Sequence, residues 1–253
     1  MKRYTLFAGT LTVFLVGAAV TGCGQSSSTT ATTTATNVAA TAPASAGEMK
    51  MFIAKPGSKM RIEGTANIIH PTWQIEGPMI GGWMAVGPGF PTEPGQAATP
   101  GKLEATNSVF ISVHSLKSVK EDGTPYSDRM DEVMCEHLKE AQYHQVYYHL
   151  SQLTLKEAAK SNGAPYVCEA KGDLVIAGVT NSITMPVNIT PILIKGDKGL
   201  EIKGNTEVKM TDYKVAPVDI NLVLGHIKTG DAVKLIFTWI VGEKKPAPPA
   251  AAP

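Results

Sequence analysis

The chain has no surplus of charge of either sign. Its 23 basic and 22 acidic side chains leave a net charge of +1. That balance provides no field for a polyanion, and no basic stripe with interleaved aromatics is present, so nucleic acid is not an expected partner. Cysteine is scarce, at three residues, and no C-x-x-C occurs, which removes the usual redox pair. No internal repeat is evident. No Ser-His-Asp order stands in a nucleophile-elbow context, nothing sets Glu169 and Asp173 around a cleft, and Gly178-Val179-Thr180 reads as a turn rather than a phosphate loop. These absences argue against an enzyme. His137, His144 and His149 sit near Glu136 and Glu140 but straddle a predicted helix end, so they are not expected to converge on a metal. No cofactor is expected.

What is present is alternation. In Gly172 to Ile189, GDLVIAGVTNSITMPVNI, Leu174 and Ile176 alternate with Asp173, Val175 and Ala177, and Gly178-Val179-Thr180-Asn181 supplies a turn. Ile183, Met185, Val187 and Ile189 then alternate with Thr184, Pro186, Asn188 and Thr190. This period of two marks strands with one side in a core. Further strands are predicted over 59–69, 73–77, 108–116, 145–153, 199–203, 206–210, 219–224 and 232–241, with a turn at Gly230-Asp231. Residues 154–161 read equally as a short helix or as strand extended into a loop. Gly87 to Gly101 is a long loop. One amphipathic helix is predicted over Ser127 to Ala141, because Met130, Val133, Met134, Leu138 and Ala141 recur at helical spacing and Ser127 or Asp128 can cap it. One helix cannot cover so many apolar-faced strands. The fold class is therefore all-β, with about eight antiparallel strands closed on themselves or folded as a sandwich.

The ends carry no fold. Lys2 and Arg3 precede an apolar run, Leu6 to Val20, that is short for a membrane span, so residues 1–22 read as an export signal. Val20-Thr21-Gly22-Cys23 resembles the lipobox of bacterial lipoproteins, which implies cleavage before Cys23 and its acylation. Residues 23–47, almost all Ser, Thr and Ala, are expected to form a disordered tether with a reach of roughly 25–30 Å. The folded domain is expected over 48–242, followed by a Pro/Ala tail over 243–253. Gly24, not aspartate, follows Cys23, which favours the outer membrane as the address and the periplasmic face of the bacterial envelope as the location. With Cys23 acylated, Cys135 and Cys168 form either one disulfide or two free thiols. The disulfide is favoured, and closing a loop of about 30 residues would stabilise by on the order of 3–4 kcal/mol.

The "G-x-L-x-I-x-G-V-T" strand-turn running into "V-x-x-P-V" resembles the YceI-like family of periplasmic lipid-binding proteins. Asn67 to Gly77, NIIHPTWQIEG, resembles the family's opening hairpin. The helix and strand MDEVMCEHLKEAQYHQVYYHL, and the closing GHIKTGDAVKLIFTWIV, resemble its later elements. The likeness covers about Met51 to Val241, although Tyr143-His144-Gln145 stands where the family has a proline, Cys135 and Cys168 fall outside its pattern, and the loop after Trp83 is long. The resemblance implies a lipocalin-like closed antiparallel barrel with an elongated apolar channel for a polyisoprenoid or similar amphiphilic lipid.

On that basis the lipid-lining candidates are Ile111, Val113, Met185, Val187, Ile189, Leu222, Leu235 and Phe237. Met60, Met185 and Met210 would give an adaptable lining. His70 and Trp73 are head-group candidates, and Trp239 reads as core lining. Composition does not distinguish a hollow barrel from a filled one. The rival readings are a packed-barrel lipoprotein that recruits an envelope protein, and a quinone-binding accessory of an electron-transfer system. Oligomeric state is not legible.

Overall fold

The computed structural model describes residues 48–67, 72–222 and 225–245. The expected signal segment, Cys23, the tether, His70 and residues 246–253 lie outside the described residues, as does the side chain of Leu222. The described strands are β1 (Lys50–Ala54), β2 (Lys59–Ala66), β3 (Thr72–Gly77), β4 (Gly81–Val86), β5 (Gly101–Leu103), β6 (Ala105–Ser112), β7 (Lys117–Val119), β8 (Gln145–Glu157), β9 (Tyr166–Ile176), β10 (Val179–Ile194), β11 (Asp197–Lys209), β12 (Asp219–Leu222) and β13 (Gly225–Glu243). A single described α-helix, α1 (Asp128–His137), lies between β7 and β8.

Eight of these strands pair in a ring, β1–β4–β6–β8–β9–β10–β11–β13 and back to β1, and each pair is antiparallel. Closure removes the exposed edges that an open sheet of this length would carry. The 19-residue β13 outlasts its neighbour. It pairs with β1 at Val241–Glu243 and with β2 at Thr229–Thr238, so β2, β3 and β7 continue the wall beyond β1.

The alternation legible in the sequence is the alternation of the wall. Met185, Val187 and Ile189 of β10 are buried, while Thr184, Pro186 and Asn188 are exposed. The hairpin turn is tighter than expected. Val179 pairs with Ile176, which leaves only Ala177 and Gly178 between the strands, at φ 48° and 78°. Positive φ at both positions is the backbone of a two-residue hairpin turn whose twist matches its strands. A Cβ on Gly178 would also lie 2.4 Å from Tyr143 Cζ.

The two ends of the barrel are closed differently. At one end the loop after β4 folds inward. Phe90 is buried, Gln96 Oε1 accepts from the Thr92 and Glu93 N–H groups, and Tyr166 Oη donates to the Gln96 carbonyl at 2.5 Å. At the other end lies α1. Ser127 Oγ accepts from Met130 N, capping the helix. Asp131 Oδ1 accepts from Ser118 N of β7 at 2.7 Å, and Lys117 Nζ lies 3.4 Å from Asp131 Oδ2. Burial pushes the Asp131 carboxyl up, but the Ser118 bonds and Lys117 outweigh it and hold the group below the ordinary carboxylate value.

Several expectations are corrected. Cys135 and Cys168 are both free thiols. Cys168 is six residues up β9 from Leu174, against whose end of the barrel α1 packs, and at the strand rise that separates them by roughly 20 Å. A disulfide needs Cα atoms about 4.4–6.8 Å apart. Val113 is not in a strand. It opens a 3-10 turn, Val113–Ser115, that links β6 to β7. Of the two readings left open for 154–161, the extended strand is the one found, since β8 runs to Glu157. The two strands expected over 199–203 and 206–210 are one, β11, and Gly230-Asp231 lies inside β13, where a bulge between Thr229 and Val233 absorbs it. At the C-terminal boundary Glu243 still pairs with Phe52, and Lys244 N–H donates to the Met51 carbonyl at 2.7 Å.

Candidate functional site

Inward positions of the wall leave two apolar chambers end to end. The first, about 90 Å³, is lined by β10 (Ile183, Met185, Val187, Ile189) and faced by Ile202, Phe237 and Trp239 among others. The second, about 160 Å³, is roofed by Met130, Val133, Met134 and His137 of α1 with Leu138 just past its end, and walled by residues such as Ile111 and Val208. Met60, Leu174 and Leu235 line both, so the chambers share a partition of three flexible apolar side chains. Ile202 in the first and Val208 in the second are six residues apart on β11, roughly 20 Å at the strand rise. Among the described residues, no Lys, Arg, Asp or Glu side chain lines either chamber.

Of the residues singled out from the sequence, Met185, Val187, Ile189 and Phe237 line the first chamber, Ile111 the second, and Leu235 both. Val113 lines neither, although only 1 % of it is exposed, because its turn carries it out of the wall. Trp73 lines the second chamber, but its ring packs over Gly64 and its Nε1 donates to the Thr65 carbonyl at 3.0 Å. That donor is already used. The three methionines Met60, Met185 and Met210 all line the interior.

The polar atoms inside are few. Asn107 Oδ1 accepts from Leu150 N at 2.9 Å. The hydroxyls of Tyr148 and Tyr213 and the indole Nε1 of Trp239 are buried with no hydrogen-bond partner among the described residues. Burial first, and the nearby Asp173 charge second, push the Tyr148 phenol up to about 12, so it stays neutral. Burial pushes the Cys168 thiol up to about 12, which makes it inert. The histidines have separate neighbours. His137 Nδ1 lies 2.8 Å from the Ala216 carbonyl, His144 is 3.6 Å from Glu140, and His149 stacks on Tyr147 with ring centroids 6.0 Å apart.

The α1 lining was missed from the sequence, although its signal was there. The apolar stripe that identified the helix is the face turned to the second chamber. Tyr148, Ile202 and Ile62 were also missed, because an inward residue in a closed barrel lines a cavity or fills one with the same side chain.

Comparison with known proteins fits this geometry. A YceI-like domain model matches residues 90–239. The match starts after β4, so the likeness read over Asn67 to Gly77 stands outside it. Among solved structures, a polyisoprenoid binding domain from Saccharophagus degradans, implicated in plant cell wall breakdown, is similar at 12% identity with a TM-score of 0.51, over 78% of this chain and 100% of that one. BcnA from Burkholderia cenocepacia matches at 16% identity and a TM-score of 0.45, over 72% of this chain and 95% of that one. No curated protein matches the chain.

Proposed function

Because the chain belongs to the YceI-like family, we propose that it holds a long-chain amphiphile of the polyisoprenoid type inside the barrel, without chemical conversion, to sequester or carry it. The observation that carries this reading is the pair of abutting apolar chambers with no charged lining. A flexible hydrocarbon fills such a space by leaving water, and each buried CH₂ contributes about 0.8 kcal/mol. Met60 and Met210 can adapt to branched methyl groups along the chain. The solved domain from Saccharophagus degradans is described as polyisoprenoid binding, which agrees with this assignment. The chambers favour a hollow barrel over a packed one that serves only to recruit a protein.

In the same proposal the protein works at the bilayer. Acylation of Cys23 would anchor it at the periplasmic face of the outer membrane, and residues 23–47 would let the barrel reach roughly 25–30 Å from the anchor. The test is uptake. Delipidated protein is mixed with vesicles containing radiolabelled geranylgeraniol and then separated by flotation. Label that leaves the vesicles with the protein at about one per chain supports the proposal. Label that stays with the vesicles at every protein concentration refutes it.

A further inference from the structure

The outer wall of the barrel is not uniform. Phe52 of β1 and Met84 of β4 point inward and are buried, so alternation turns Met51 and Ile53 of β1, with Met49 just before it, and Trp83 of β4 to the outside. Ile53 and Trp83 are direct cross-strand partners. On β6 the outward Phe110 lays its ring over Gly81 of β4, where a Cβ would lie 2.5 Å from its Cζ, and Phe110 is paired with Tyr147 of β8. Apolar surface therefore crosses four adjacent strands. Five of the eight exposed large apolar side chains among the described residues belong to it, with Trp83 38 % exposed.

The same strands lack acid. β1, β4 and β6 contain no Asp or Glu, and β8 has only Glu157, its last residue. The outward positions of β11, by contrast, include Glu201, Lys203, Glu207 and Lys209. Two lysines border the apolar surface. Lys244 donates its N–H to the Met51 carbonyl, one step past the Glu243–Phe52 pair, and so lies on the face of Met51. Lys55 lays its stem over Gly242, the partner of Ile53. A basic side chain whose stem covers apolar surface can reach lipid phosphates with its ammonium group. Trp and Tyr suit the same boundary, because an apolar ring carries a polar edge. The covalent connection selects the occupant. Residues 23–47 join the barrel at Glu48, beside Met49, so an anchor on Cys23 delivers the bilayer to this side of the wall.

We propose that Met51, Ile53 and Trp83 form a docking face for an anionic bilayer surface, with Lys55 and Lys244 on the lipid phosphates, so that the tethered barrel lies with β1 and β4 against the membrane. The proposal rests on the bilayer reading above and adds which face of the barrel meets the lipid.

The experiment uses the full-length protein reconstituted into vesicles of phosphatidylcholine and phosphatidylglycerol whose acyl chains carry bromine close to the head group, a contact quencher of indole. Flotation of the vesicles reports anchoring. Emission that bromine removes from the unsubstituted protein but not from Trp83→Phe belongs to Trp83, which separates it from Trp73 and Trp239 inside the barrel. Trp83 is expected to lose most of its emission. Ile53→Glu should lower the ratio of docked to undocked barrel roughly fivefold, the worth of one charge at an anionic surface. Thr184→Glu, the same charge on the outward face of β10 across the barrel, should leave the ratio unchanged. Protein that floats while Trp83 keeps its emission, or quenching that Ile53→Glu and Thr184→Glu reduce equally, would overturn the docking face and leave the anchor intact. An unquenched Trp83 that becomes shielded from acrylamide as the protein-to-lipid ratio rises would overturn it in favour of a second copy of the chain. Protein that does not float would remove the bilayer reading and the docking face with it.

Discussion

The ring of Tyr148 on β8 occupies the space over Gly172 on β9, where a Cβ would lie 2.7 Å from both Cζ and Oη of the tyrosine. The same Cβ would stand 2.3 Å from the His149 carbonyl oxygen, which cannot step aside as a side chain can. Glycine at this point is what lets a large aromatic cross the wall and reach the chamber. Gly172→Ala is therefore expected to destabilise by about 1–3 kcal/mol and to displace Tyr148. A denaturant midpoint equal to that of the unsubstituted protein would contradict the contact.

Asp131 fastens α1 to β7 through Ser118 N–H, and α1 roofs the second chamber. Its carboxyl sits below its ordinary 3.8 in the folded state. A depressed carboxyl contributes stability that is present above the unfolded value and is lost as pH falls through the folded one. Asp131→Asn is expected to cost about 1.5–3 kcal/mol at neutral pH, the range for a hydrogen bond to a charged group. The difference from the unsubstituted protein should shrink below about pH 4, as the native carboxyl also takes up its proton. Urea unfolding at pH 7 and pH 2.5 measures both ends, and a gap that does not change with pH would contradict the assignment.

Leu235 stands on the partition between the chambers. Leu235→Trp should obstruct the passage and lower uptake of a C20 prenol at least tenfold, at a stability cost of about 1–3 kcal/mol for the added volume. A C5 probe that needs only one chamber should be affected far less. Equal loss for long and short probes would mean that the chambers do not act as one channel.

The free thiols give a chemical check. In denaturant, iodoacetamide should modify both Cys135 and Cys168 without prior reduction, and in native buffer Cys168 should be protected by its burial and high pKa. Modification that requires a reductant would restore the disulfide.

Much of the wall was legible before the structure, and the misses have physical reasons. Ile183, Met185, Val187 and Ile189 declared their face because a half-buried strand must alternate, and no other element has that period. Val113 continued the same alternation past the end of β6, since a buried 3-10 turn needs apolar residues as much as a strand does. Gly204 fell between the two strands expected over 199–203 and 206–210. It is a position where the Phe237 ring packs on the neighbouring strand, with Cζ 2.6 Å from where a Cβ would be. Gly230-Asp231 looked like a turn and is the slack of a bulge in β13. The Cys135–Cys168 pairing failed because spacing along a chain does not report distance along a barrel axis. Nor does sequence periodicity distinguish a lining side chain from a filling one, so the chambers and their shared partition are visible only in the fold.

The central claim is that the barrel is hollow and holds one long amphiphile. The most direct measurement is a native mass spectrum of protein purified from a bacterial periplasm without detergent, followed by organic extraction. The account predicts a discrete excess mass, about one per chain, that extracts as a single isoprenoid-type species and is absent from Leu235→Trp. A spectrum of polypeptide alone, with nothing taken up from an added lipid mixture, would contradict it.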